Sequence, residues 1–111
     1  MSNENTAYDR YALLSNRRRR TIIRILSGEE VVLSVDELVD RIADHEFENP
    51  SNEDRRAIRL TLYHNHLPRL VDGDVVTFDT DTEIVRLRSG SVTLVHALDP
   101  WTDRDVARSR S

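Results

Sequence analysis

Guanidinium groups dominate the side chains able to do chemistry in this sequence. SNRRRRTIIRILSG over 15–28 sets Arg17, Arg18, Arg19 and Arg20 side by side, and NEDRRAIRL over 52–60 carries Arg55, Arg56 and Arg59. Arginine pairs bidentately with phosphate oxygens and with the edge of guanine, so these groups point to nucleic acid. They serve as well on a solvated or ion-paired face, and both readings stand at this point. His64-x-His66, with His45 and His96 elsewhere, raises a metal site. Helical residues two apart diverge by about 200°, so two such imidazoles cannot face one ion from a regular helix. Packing or a backbone hydrogen bond is their expected use, and no metal or other cofactor is expected. With three glycines there is no phosphate-cradling loop, and no nucleophile elbow occurs. A non-enzyme is expected.

The elements that must hold these arginines follow from pattern and caps. YDRYALL over 8–14 reads as a short first helix. Ser15 or Asn16 then offers an N-cap and Gly28 a stop, with Ile22, Ile23, Ile25 and Leu26 on one face at about 100° per residue. Arg17, Arg20 and Arg24 are expected opposite that face. Four consecutive helical residues spread over about 300°, so the run cannot form one basic stripe. Arg18 and Arg19 must flank the apolar side, snorkelling or pairing with carboxylates. Arginines at a helix N-terminus also oppose the macrodipole, which calls for an acidic neighbour or phosphate.

VVLS over 31–34 suggests a short strand. Ser34 and Glu37 match the S-x-x-E capping box and open a helix whose Val35, Leu38, Val39, Ile42 and Ala43 share one face. After the polar break ENPSNED, Ser51 or Asn52 caps a helix over about 54–71 that closes at Gly73. Pro68 lies inside it and should kink it or loosen a turn. On a regular wheel Leu60, Tyr63, Leu67, Leu70 and Val71 form one apolar arc, Ile58 and Leu62 lie on another side with Arg55 and Arg59 between them, and Asp54, Thr61, His64 and Asn65 form the polar arc. The period then changes to that of strands in Val75–Phe78 and Glu83–Leu87, around the turn Asp79-Thr80-Asp81-Thr82. Val92–Val95 suggests a further strand, and 99–111 an extension and polar tail.

Composition bounds the whole. The 111 residues suit one domain, expected over 8–98 after a disordered 1–7. Hydrophobic residues make up 38% and aromatics 5%, a modest supply that favours burial against a second copy. All 16 basic residues are arginine, and 20 acidic ones outnumber them for a net charge of −4. An acidic, lysine-free chain suits a salt-loaded cytoplasm and suggests a halophilic archaeal source; a high-GC genome is the alternative. MSNENTAYDR has no signal-peptide pattern, and no apolar run approaches the length of a membrane span. A cytoplasmic location is expected.

The order helix, helix, strand, helix, helix, hairpin is that of a winged helix-turn-helix, an α+β fold with a helical core and a two- or three-stranded β wing. HLPRLVDGDVVTFD resembles the end of a recognition helix, a glycine turn and the first wing strand of arsenic-repressor-type winged helices. LLSNRRRRTIIRIL, SVDELVDRIA and LYHNHLPRLVDGDVV extend a likeness over 13–88 to a haloarchaeal winged-helix domain family. The resemblance implies a small DNA-binding transcriptional regulator with the helix at about 54–71 in the major groove. The alternative is a winged-helix module that binds protein and no DNA. Arg55, Arg56, Arg59, Thr61 and Asn65 on that helix, Arg86 on the wing, and Arg17 and Arg20 are the expected contacts to double-stranded DNA. Arginines collected on one face would favour DNA; arginines dispersed into ion pairs would favour the protein module. The wing tip, with Asp79, Asp81 and Glu83, repels phosphate. A homodimer is expected through Tyr8, Tyr11, Leu14, Leu94 and Trp101, the last residue serving otherwise to cap the core.

Overall fold

The computed structural model describes residues 12–28 and 32–91. Helix α1 (Arg17–Leu26) opens at Asn16, whose side chain accepts the Arg19 N–H at 3.1 Å. It buries Ile22, Ile23 and Leu26. Strand β1 (Val32–Ser34) runs straight into α2 (Val35–Glu46). The expected capping box is formed: Ser34 Oγ accepts the Glu37 N–H, and Glu37 accepts the Ser34 N–H, each at 3.1 Å. Val35, Leu38, Val39, Ile42 and Ala43 are all buried, as their spacing requires. Ser51 and Asp54 build a second box at the start of α3 (Asn52–Thr61).

Helix α3 continues through a π-helical turn, Leu62–His66, into α4 (Leu67–Asp72). The cause is Pro68. In a regular helix its ring would strike the carbonyl four residues back, and it has no N–H to give. The wider turn, with the Leu67 N–H reaching the Leu62 carbonyl, accommodates it. The extra residue also shifts the phase of everything beyond it. The expected apolar arc is corrected in part: Leu67 and Leu70 enter the core, joined there by Ile58 and Leu62, while Leu60 is 59% exposed and Val71 is exposed too.

The end of α4 is a Schellman motif. The Val75 N–H reaches the Leu70 carbonyl at 2.9 Å and the Asp74 N–H reaches Val71 at 3.0 Å. The residue in the left-handed region is Asp74, at φ 60°, and not Gly73, at φ −84°. Buried Leu70 and Val75 supply the accompanying apolar contact.

Strands β2 (Val76–Asp79) and β3 (Ile84–Leu87) form the wing, and β1 joins them in an antiparallel sheet of order β1-β3-β2. The register sets Thr77 opposite Arg86 and Phe78 opposite Val85, with Leu33 facing Val85 from the other side. One face thus buries Leu33, Val76 and Val85, and the other presents Thr77, Asp79 and Arg86. Tyr63 meets Phe78 edge-to-face, ring centres 5.8 Å apart, and fixes the helical rod on the wing. The architecture is α+β, a winged helix-turn-helix.

Leu13 and Leu14 are buried in the core of their own chain. Leu14, expected at a subunit contact, therefore offers no surface for one. Tyr8, Tyr11, Leu94 and Trp101, the strand at Val92–Val95 and the tail lie outside the described residues. Among the described residues no helix is long and apolar enough to cross a membrane.

Candidate nucleic-acid interface

The arginine run is largely a structural device. Arg18 donates from Nε and Nη2 to the two carboxylate oxygens of Glu46, at 2.7 and 2.6 Å, and from Nη1 to Thr61 Oγ1 at 2.8 Å. One side chain so ties α1 to the end of α2 and the middle of the helical rod. Arg19 Nε donates to the Leu13 carbonyl at 2.9 Å and Arg20 Nη1 to Leu14 at 2.8 Å, pinning the turn that precedes the helix. Burial, then the nearby Arg69 charge, lowers the Arg19 pKa. The macrodipole is thus answered by a carboxylate and backbone carbonyls. Arg17 and Arg24 are exposed, as expected, whereas Arg20 is half-buried. Its expected phosphate role is corrected, because its guanidinium is committed inward.

Thr61 is corrected likewise. It is half-buried, its hydroxyl donates to the Ile58 carbonyl at 3.0 Å, and it receives Arg18. Asn65 is exposed, and its side-chain oxygen accepts Arg69 Nε at 2.7 Å. His64 is exposed and His66 buried, so the two imidazoles do diverge. His66 is 4% exposed, and its Nδ1 has no hydrogen-bond partner among the described residues. Burial, followed by the Arg19 and Arg18 charges, lowers its pKa to about 4.

Arg55, Arg56 and Arg59 line one groove between α2 and α3, together with Asp36, Val39, Asp40 and Asn52. Arg55 Nε donates to Asp40 at 3.1 Å, and its Nη1 to the Pro50 carbonyl at 3.2 Å. Arg59 pairs with Asp36, and this hydrogen bond raises the Arg59 pKa. The arginines therefore both collect on one groove and, at two of three positions, pair with carboxylates. Sequence spacing signalled the arginines but not their partners, which lie 15 and 23 residues away on another helix.

Arg56 differs. Its side chain is exposed along that groove and makes no hydrogen bond or ion pair with the other described residues, as is true of the side chains of Arg86 and Arg88 at the wing. Arg86 stands beside Thr77 on the open face of the sheet. The tip between the strands is shaped by Asp79, whose carboxylate accepts the Asp81 N–H at 2.9 Å, and by Glu83 at φ 58°. Uncommitted guanidiniums thus sit on α3 and on the wing.

The winged helix-turn-helix is a non-catalytic binding architecture. Residues 11–86 match the model of a domain of unknown function, DUF7344, and the chain belongs to that family. No curated protein and no solved structure matches it significantly.

Proposed function

We propose that this winged-helix member of DUF7344 is a small DNA-binding transcriptional regulator that offers α3 to the major groove. The observation that carries the reading is Arg56, exposed and uncommitted near the start of that helix. N-terminal residues of a recognition helix are the ones that reach base edges, and arginine is the commonest reader of guanine. Uncommitted Arg86 and Arg88 on the wing add backbone contacts. The likeness of HLPRLVDGDVVTFD to arsenic-repressor-type regulators supports the same reading. One such helix supplies few base contacts, so two copies on half-sites about one helical turn apart would multiply them; a homodimer belongs to the proposal. A halophilic cytoplasm is its proposed setting. There the Debye length is only about 3 Å at molar salt, which mutes the acidic wing tip and leaves short arginine contacts to act.

Genome-wide occupancy in the native host, followed by titration of the enriched duplexes in the host's salt, tests this. Discrete sites bound by the wild type and lost with Arg56→Ala are expected. An absence of discrete sites would reject it.

A second reading, a protein-binding module, is favoured by the Arg55–Asp40 and Arg59–Asp36 pairs and by exposed Leu60 on the same helix. On that reading Leu60→Ala, and not Arg56→Ala, abolishes function.

A further inference from the structure

Two carboxylates and two guanidiniums face each other across the groove as a matched ladder. Asp36 and Asp40 stand one helical turn apart on α2, and Arg59 and Arg55 stand one turn apart on α3. All four side chains are open to solvent, at 70% and 64% for the aspartates against 42% and 37% for the arginines. Exposed pairs of this kind hold only weakly. Val39, between the two aspartates, is already buried in the core, and Glu37 already closes the helix cap. The ladder thus belongs neither to the buried core nor to the Ser34–Glu37 box, and only Asp36 also stands in the first turn of α2.

A phosphodiester offers a guanidinium the same two-pronged acceptor as a carboxylate. A DNA strand approaching this groove can displace either aspartate, but the displaced charge then stays beside the phosphate and repels it. We propose that Asp36 and Asp40 are specificity determinants: they withhold Arg55 and Arg59 from indiscriminate phosphate binding. The two arginines are released only where a base contact at neighbouring Arg56 already holds the duplex close. Like-charge opposition of this sort suppresses wrong partners more than it strengthens the right one. The inference rests on the DNA reading above.

The experiment titrates random-sequence duplex DNA against the full chain, Asp36→Asn/Asp40→Asn, and the same pair of changes combined with Arg55→Ala/Arg59→Ala, over a KCl series. Two freed phosphate contacts should steepen the plot of log affinity against log salt by about 1.8, which is roughly a tenfold difference over a fourfold change in salt. Tighter random-duplex binding with that steeper slope is expected in the double Asn variant, and its loss when the arginines are also removed. Asp36 lies in the first turn of α2, where a carboxylate aids folding. Asp40→Asn alone is therefore run beside it, with an expected steepening of about 0.9. Unchanged affinity and slope in both Asn variants, with wild type binding DNA, would overturn the gate alone. Failure of every variant to bind any duplex would overturn the DNA reading and the gate together.

Discussion

Arg18 grips both carboxylate oxygens of Glu46 with the Nε–Nη2 edge of its guanidinium, at 2.7 and 2.6 Å, across 28 residues of sequence. The two side chains are only 24% and 27% exposed, so solvent screens the pair less than an ordinary surface bridge. Because Arg18 also donates to Thr61, it joins three helices at one point. A double-mutant cycle of Arg18→Met and Glu46→Gln should give a coupling of about 1–2 kcal/mol, above the usual surface range. Chemical denaturation of the four chains measures it, and a coupling near zero would reduce the pair to ornament on an apolar core.

His66 gives the fold an acid-side weakness. Its pKa is lowered from 6.5 to about 4, chiefly by burial, so the folded chain resists a proton that the unfolded chain accepts. Stability therefore falls as pH drops from 6.5 towards about 4 and levels below that; above 6.5 the group contributes nothing. His66→Gln removes this term and leaves the carboxylates common to both chains. The stability of the variant relative to wild type should improve by a few kcal/mol at most over that window. A difference that stays flat between neutral pH and pH about 4.5 would show that the imidazole is not withheld from its proton.

The turn after α4 locates its strain at Asp74. A side chain in the left-handed region costs roughly 1–2 kcal/mol, less for Asp than for most, and glycine escapes the cost. Asp74→Gly should leave stability unchanged or raise it by up to about 1 kcal/mol, and Asp74→Val should lower it by about 1–2 kcal/mol. Urea midpoints distinguish the two, and equal loss from both substitutions would move the strain elsewhere.

Local signals in the chain foretell local structure and little more. Ser34 with Glu37 names its capping box because both partners lie within one helical turn, and so does the alternation that marks the wing. Pro68 foretells a loosened turn, yet a wheel drawn at constant pitch assigns Leu60 inward, because it cannot know that the π turn adds a residue before Leu67. The left-handed residue at the end of α4 is likewise one place beyond the glycine that signals it. Arg18 and Arg19 are recognisably too close to the apolar face to stand free. Their partners, and those of Arg55 and Arg59, depend on how α1, α2 and α3 cross, which no spacing along the chain encodes. For that reason the arginine-rich helix was legible as a candidate site, while the distinction between committed Arg55 and uncommitted Arg56 was not.

That distinction carries over to the wing. Arg86 lies on the open face of β3 beside Thr77, with carboxylates at the adjoining tip and no neighbour engaging its guanidinium among the described residues. In the proposed complex it meets the sugar-phosphate backbone, which orients the duplex without reading sequence. Arg56, on α3, meets base edges. The two substitutions should therefore fail differently. Arg86→Ala should weaken all duplexes alike and lower the salt slope by about 1, whereas Arg56→Ala should relax preference at one position by about 1–3 kcal/mol. Affinities for an enriched site, single-base variants of it and random duplex, each over a KCl series, separate these outcomes. If Arg86→Ala instead altered base preference while leaving the salt slope untouched, the wing and not α3 would be the reading element.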